Sequence, residues 1–105
     1  MKNFMDRYKI ALSTDLLTIK IGIPGCSSLK DKRSHIQPLL SRLHKEFNFS
    51  LAEIGLQDIW QSAVIGAVII SNDANYNHRV LNKSIETIEK LFPDIEIEEF
   101  HIEGL

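Results

Sequence analysis

The stretch LLTIKIGIPGCSSLKDKRSHIQPLLSRLHKEF, residues 16–47, passes from a strand pattern to a helix pattern within a single turn. Residues 16–23 alternate, with apolar side chains at positions 17, 19, 21 and 23, and this alternation predicts a β-strand. Pro24 and Gly25 then end the strand. From position 29 the apolar residues recur at 29, 36, 39, 40, 43 and 47, which is the spacing of one face of an amphipathic helix.

The start and the interior of this helix carry opposite signals. Ser28, followed three residues later by Asp31, has the pattern of a capping box and predicts the helix start. Pro38 removes a backbone donor and crowds the preceding turn. Two interpretations fit the proline: one bent helix over residues 29–47, or a second helix start capped by Ser34 and Gln37. We favour the single bent helix.

The rest of the chain predicts three further strands and one further helix. Residues 48–56 and 61–71 have strand patterns and are joined by the segment QDIW. The second of these strands is apolar on both faces, which is typical of a central strand covered on both sides. A helix starts after Ser71, Asn72 and Asp73, one of which caps it, and ends at Pro93. A last strand over residues 94–105 needs a one-residue ladder shift near Glu98 or Glu99 to keep its apolar residues on one face.

The order of elements is β-α-β-β-α-β, a recurrent α+β arrangement. Two right-handed crossovers place both helices on one face of a four-stranded antiparallel sheet with strand order 4-1-3-2. Residues 1–11 form an N-terminal extension, and residues 12–105 form the domain. The helix positions that we expect to be mostly buried against the sheet are Leu29, Ile36, Leu40, Leu43, Tyr76, Val80, Ile85 and Ile88.

Composition sets broad limits on function. The chain has 105 residues, 44% of them hydrophobic, and a net charge of -2, which fits one globular domain and argues against a generally basic nucleic-acid or DNA-binding protein. The single cysteine cannot form an internal disulfide, and no apolar run is long enough to cross a bilayer, so we expect a cytoplasmic protein without membrane contact. The scattered histidines lack metal-ligand spacing, so neither a metal nor another cofactor is expected.

Three sequence blocks, PGCSSLKDKR, FNFSLAEIG and QDIWQSAVIGAVIISND, resemble the YlxP-like family of bacterial domains of unknown function. The resemblance covers roughly residues 12–105. It implies a ferredoxin-like α+β sandwich and no established reaction. Members are commonly encoded near translation and ribosome-maturation genes, which implies a role linked to RNA or the ribosome. The N-terminal extension and Pro38 depart from the family pattern.

The loop before the first helix is the main candidate binding site. A strand that runs into a turn and a helix start directs free backbone N–H groups outward, and phosphate is the natural ligand of such a site. The residues that we assign to an anion-binding or nucleic-acid-binding site are Gly25, Ser27, Ser28, Lys30, Lys32, Arg33 and Arg42. We expect Lys30, Lys32 and Arg33 to be accessible, with two of the three facing the turn. The alternative is a capped, solvated helix start in which Asp31 pairs with a nearby cation.

Charge is unevenly distributed along the chain. Residues 28–47 hold five Lys or Arg against two acids, a balance of +3, whereas residues 84–105 hold one Lys against seven acids, a balance of −6. A split of this kind can orient one face towards an anionic partner.

Other candidate residues have a structural interpretation beside a functional one. Trp60 and Asp58 could bind a partner, or Trp60 could close one end of the sheet while Asp58 caps the turn. Glu53, if buried, needs a cationic partner, either Arg33 or a lysine of the first helix. Cys26 lies near a helix start but has no partner residue at a spacing typical of catalysis.

Three classes of function follow. The first is a non-enzymatic accessory protein that binds RNA, the ribosome or a ribosome-associated partner through the basic first helix and its preceding loop. The second is a homo-oligomeric structural or regulatory domain that associates through an apolar outer sheet face around Val64, Val68 and Ile70, unless the N-terminal extension covers that face. The third is a phosphate-ester or acyl-phosphate enzyme that uses Arg33, for which no catalytic motif is present, so we expect no enzymatic activity.

Overall fold

A computed structural model describes residues 3–105 of the chain. Its elements are α1 (Phe4–Arg7), β1 (Ser13–Gly22), α2 (Leu29–Glu46), β2 (Ser50–Gly55), β3 (Ser62–Ser71), α3 (Ala74–Leu91) and β4 (Glu96–Gly104). The four predicted strands and two predicted long helices are all present, with ends that differ from prediction by a few residues. The short helix α1 lies in the predicted extension, whose residues 1–2 fall outside the described part of the chain.

The four strands form one antiparallel sheet in the order β2-β3-β1-β4, as predicted. The two central strands pair over their whole length, and Leu17 lies opposite Ala67. Leu17 and its alternate neighbours on β1 are buried beneath α2 and α3, which cover the same face of the sheet. The fold is therefore the ferredoxin-like α+β sandwich that the order of elements predicted.

The predicted shift of the β4 ladder is confirmed. Lys20 pairs with Glu99, but the next residue of β1, Ile21, pairs with Ile97, so that Glu98 is the extra residue of a bulge. The bulge places Ile97 and Phe100 on the same face although they are three residues apart. It also leaves Glu98 free to form an ion pair with Lys20.

One hydrophobic core lies between the sheet and the two long helices. Its fully buried helix residues include Ile36, Leu39, Leu43, Leu81 and Ile88. Of the predicted core positions, Ile36, Leu43, Ile85 and Ile88 are buried, and Leu40 and Val80 pack against the core while partly exposed.

The predicted inward face of α3 is partly wrong. Tyr76 is 46% exposed and stacks beneath the guanidinium group of Arg79, with 6.0 Å between that group and the ring centre. The neighbouring Asn77 is fully buried instead and donates a hydrogen bond of 2.9 Å to the buried carboxylate of Asp15. Because a polar residue takes this core position, the buried stripe of α3 is rotated by about one residue from the apolar pattern.

The helix α2 is continuous through Pro38, as the single-helix interpretation predicted. Its start is capped by Ser28, whose hydroxyl oxygen accepts a hydrogen bond of 3.0 Å from the backbone N–H of Asp31. Pro38 lies on the exposed side of the helix, where the carbonyl group that loses its donor can reach water. The second long helix, α3, is capped by Asp73.

The N-terminal segment does not cover the sheet. Every residue from 3 to 12 is exposed, and α1 contributes no buried residue. On the outer face of the sheet, Val68 is 37% exposed and Ile70 is 67% exposed. The suggestion that the extension covers this face is therefore wrong for the described residues. The division into residues 1–11 and 12–105 stays a prediction.

Candidate anion-binding site

The turn between β1 and α2 depends on one glycine. Gly25 has a φ angle of +78°, a backbone conformation that side-chain-bearing residues seldom adopt. After it the chain turns inward, so that Cys26 is buried, and its N–H donates to the carbonyl oxygen of Ile23. The turn then delivers Ser27 and Ser28 to the start of α2.

The amide groups of this turn are already partly engaged by the protein. The backbone N–H of Ser27 donates to the carboxylate of Asp31 over 3.2 Å, and Ser28 accepts from the N–H of Asp31. The hydrogen bond from Ser27 holds the pKa of the Asp31 carboxyl below its ordinary value. A carboxylate of the chain itself thus faces the turn, and Ser27 and Ser28 serve the helix cap.

Lys32 is not accessible, and this corrects the sequence-based expectation. Its side chain is only 3% exposed. Its Nζ lies 2.9 Å from Oε2 of Glu53 and donates a hydrogen bond of 2.8 Å to the carbonyl oxygen of Leu56. Position 32 precedes the buried Ile36 by one helical turn, and that spacing was the signal that could have revealed it. Lys32 therefore stabilises the fold and offers no charge to a ligand.

Glu53 has the partner that one of the two alternatives predicted, a lysine of the first long helix. Its Oε2 is buried, and no residue between 3 and 105 donates a well-aligned hydrogen bond to it. The 2.9 Å approach of Lys32 is thus an ion pair whose N–H direction is poor. The rest of the Glu53 side chain remains partly exposed, at 24%.

Three other cations of the predicted site are exposed. Lys30 and Arg33 lie on the solvent side of α2 near its start. Arg42 lies three turns further on, where its guanidinium group forms an ion pair of 2.6 Å with Glu46. Arg33 and Glu53 both border a cleft between α2 and the β2–β3 connection. Lys30 and Arg33 are the two cations of the predicted set that lie beside the turn.

The structure adds cations from α3 that the sequence analysis missed. Lys83 and Lys90 line a groove with Arg42, across the space between the two long helices. Arg79 and Lys83 line a second, open groove along α3. The sequence analysis counted residues 84–105 as one acidic block, which separated these cations from those of α2. A charge count for each predicted element would have brought them together.

Charge separates by layer in the folded domain. We use "helix layer" for α2 and α3 together. The helix layer holds eight Lys or Arg and four Asp or Glu, a balance of +4, whereas β4 holds four Glu and no Lys or Arg, a balance of −4. Because β4 is an edge strand and α2 packs over the opposite edge, β2, the two charges lie on different sides of the molecule.

Trp60 lies on the surface and not in the core. It is 50% exposed and borders a shallow depression with Asp58 and Ile59. The connection that carries it begins at Leu56, which has a φ angle of +58°, a strained value for a residue with a side chain. The hydrogen bond from Lys32 to the Leu56 carbonyl oxygen holds this strained connection in place.

The outer face of the sheet is apolar and open. Ile54, Val68 and Ile70 are all exposed there, and the Ile54 side chain lies over Gly66, where an added Cβ would approach it to 2.8 Å. On this face of β1 and β3 the described chain presents no aromatic residue, so the base-stacking surface of RNA-recognition sheets is absent from these strands.

Residues 3–105 contain no group of three His, Cys, Asp or Glu side chains arranged to hold a metal ion. In the same part of the chain, no helix combines the length and apolarity that a membrane crossing requires.

These features define a class: a ferredoxin-like α+β domain with a basic helix layer, an acidic edge strand and an open apolar sheet face. The sequence matches the model of the family described as "Protein of unknown function (DUF503)" over residues 15–102. The chain belongs to this family. It is also 36% identical over 74 residues to the "Uncharacterized protein YlxP" of Bacillus subtilis (strain 168), which covers 70% of this chain and 79% of that protein. The YlxP-like resemblance is confirmed.

Solved structures of low sequence identity share the fold. SnoaB, a cofactor-independent oxygenase from Streptomyces nogalater, superposes with a TM-score of 0.58 at 13% identity, covering 87% of this chain and 91% of that one. The de novo designed protein Foldit4 gives a TM-score of 0.51 at 15% identity, covering 88% of this chain and 96% of that one. At these identities the likeness concerns the fold alone.

Proposed function

We propose that this domain is a non-enzymatic accessory protein that binds RNA through its helix layer. The observation that carries the proposal is the separation of charge, +4 on the helix layer against −4 on β4. A phosphate backbone attracted to the helix layer is repelled by the acidic edge, so the separation both attracts and orients the strand. The translational link implied by the family resemblance makes ribosomal RNA the partner class to test first.

The exposed cations supply the contacts. Lys30 and Arg33 project near the start of α2, and Arg79 and Lys83 project from α3. Ion pairs at the protein surface, such as Lys83 with Glu86 at 3.5 Å, are weak, and phosphate oxygens can replace the carboxylate partner. Few phosphates are neutralised at once, so the affinity is moderate and falls with salt.

The salt dependence of RNA binding tests the proposal. Fluorescence anisotropy with a labelled single-stranded fragment of ribosomal RNA is measured at several salt concentrations. We expect the double variant Lys30→Gln/Arg33→Gln to bind more weakly and to reduce the slope of log K against log salt by about 1. Lys20→Gln is the matched control, since Lys20 lies on the outer sheet face, and it should leave the slope unchanged. Equal binding by all three proteins would contradict the role of the helix layer.

A second function is favoured by a different observation, the exposure of Val68 and Ile70 on the outer sheet face. We also propose that this face associates with the same face of a second copy, because open apolar sheet faces mark interaction sites. Sedimentation velocity at high protein concentration should detect a dimer that Ile70→Glu abolishes. The control Asn82→Glu, on the exposed side of α3, should leave the dimer intact. A strict monomer at high concentration would remove this function.

A further inference from the structure

We infer that the cleft between α2 and the β2–β3 connection receives one unstacked RNA base and selects guanine through Glu53. The inference rests on the proposed RNA binding and names what the domain reads in the RNA. The cleft is defined by apolar Leu29 and Ile36, the amide side chains of Gln37 and Gln57, and the charged groups of Lys32, Arg33, Glu53 and Asp58.

The size of the cleft fits a single ring system. Its volume is about 240 Å³, smaller than the roughly 300–1,000 Å³ of ordinary small-molecule pockets. A whole nucleotide cofactor or a duplex end is too large, whereas one planar base can enter edge first. Sequence-specific RNA recognition commonly proceeds in this way, with single bases splayed out and read on their edges.

The charge of the cleft favours a base over a phosphate. Lys32 and Arg33 are balanced by Glu53 and Asp58, so the cleft has no net charge. Lys32 is also buried and already engaged by Glu53 and by the Leu56 carbonyl oxygen. A phosphate entering the cleft would meet two carboxylates, and it is better held outside by the exposed Arg33 and Lys30. An uncharged group rich in hydrogen-bond donors suits the interior.

Guanine is the base whose donors match a carboxylate. Its Watson–Crick edge presents two adjacent donors, N1–H and the N2 amino group, which can meet the two oxygens of one carboxylate. The other three bases present one donor flanked by acceptors on that edge. The carboxylate of Glu53 receives no well-aligned hydrogen bond at Oε2 from residues 3–105, while the ion pair with Lys32 fixes its position. Lys32 is accordingly a positioning residue.

The neighbouring surface continues the path of a single strand. Asp58 borders both the cleft and the depression that contains the half-exposed Trp60. An indole ring at this position can stack the next base, a contact that tolerates any base. A strand with phosphates at Lys30 and Arg33, a guanine at Glu53 and its neighbour on Trp60 uses all of the features found at this end of α2.

The test uses labelled RNAs of the form UUUXUUU, with anisotropy measured at one low salt concentration. We expect the RNA with guanine at X to bind about 5- to 150-fold more tightly than those with adenine, cytosine or uracil, the range for a bidentate base contact. Inosine at X lacks the N2 amino group and should lose most of this advantage. The analogue 7-deazaguanine keeps the Watson–Crick edge and should retain it. Neither analogue alters the protein, so protein folding does not affect the comparison.

The variant Glu53→Gln then assigns the preference to this residue. It should bind all four RNAs within about twofold of one another and keep the wild-type salt slope, because it removes no phosphate contact. Glu99→Gln, on the exposed face of β4, is the matched control and should keep the preference. If Glu53→Gln unfolds, the inosine comparison decides alone.

Equal affinity for all bases, with the salt slope intact, would overturn the inference and leave the proposed RNA binding in place. A guanine preference that inosine or a folded Glu53→Gln protein retains would also overturn it, since another edge or residue would then be responsible. Failure of the wild-type protein to bind any of the RNAs or the ribosomal fragment would remove both proposals.

Discussion

Replacing Lys32 with methionine tests the most specific feature of the site, the buried ion pair. Methionine keeps most of the aliphatic volume and leaves little cavity, so the change mainly removes the charge. It leaves the Glu53 carboxylate without its cation and removes the 2.8 Å hydrogen bond to the Leu56 carbonyl oxygen. That oxygen still accepts a 3.0 Å hydrogen bond from the N–H of Ile59, so the unpaired carboxylate accounts for most of the loss.

The expected cost follows from burial. Removing one partner of a fully buried pair costs about 3–5 kcal/mol. Glu53 retains 24% exposure, and water reaching it offsets part of the loss. We therefore expect Lys32→Met to lower the free energy of unfolding by about 2–4 kcal/mol. The double variant Lys32→Met/Glu53→Gln should lose less than Lys32→Met alone, because it leaves no unpaired charge.

Urea denaturation of the four proteins in this cycle measures these free energies, and Lys30→Met serves as the control. Lys30 is exposed, so its replacement should change stability by less than about 0.5 kcal/mol. If Lys32→Met and Lys30→Met had equal, small effects with unchanged m-values, Lys32 would be solvated and the structural account of the cleft would be refuted.

Three further predictions concern the framework of the site. Leu43→Ala should lower the unfolding free energy by about 2–5 kcal/mol in urea denaturation, because Leu43 is a fully buried core residue; a loss below about 1 kcal/mol would contradict its placement. Gly25→Ala should cost about 1–2 kcal/mol from its left-handed backbone alone, since nothing lies near the added methyl group; a neutral effect would mean that the turn is different. The Asp31 carboxyl, whose pKa is lowered below 3.8, contributes stability above that pH and loses it as the pH falls through the lowered pKa. Asp31→Asn should therefore show a weaker loss of stability on acidification in pH-dependent unfolding, and an acid dependence equal to that of the wild-type protein would exclude the hydrogen bond from Ser27.

The fold was predictable because its local patterns agree with one another. The alternation around Leu17 and Ile19, the two-sided apolarity of β3 and the cap signal at Ser28 all indicate the same topology. Even the bulge at Glu98 follows from the sequence, since Ile97 and Phe100 share the covered face only if the ladder shifts.

The candidate site was less predictable because charge and burial are properties of the whole fold. Lys32 has the same residue type and nearly the same position as Lys30, and only the three-dimensional contact with Glu53 distinguishes the buried lysine from the exposed one. Asn77 is polar yet fully buried, because Asp15 on a strand far away in sequence supplies its partner. Likewise, Arg42 and Lys83 come together only once α2 and α3 lie side by side.

Mapping of the RNA contact by NMR tests the central claim most directly. Amide chemical shifts of the labelled protein are recorded while a single-stranded fragment of ribosomal RNA is added at low salt. The account predicts that the shift changes concentrate on α2, α3 and the β2–β3 connection, from Lys30 and Arg33 to Lys83, and that they disappear as salt is raised. Changes confined to β4 and the outer sheet face, or no changes at RNA concentrations far above that of the protein, would contradict it.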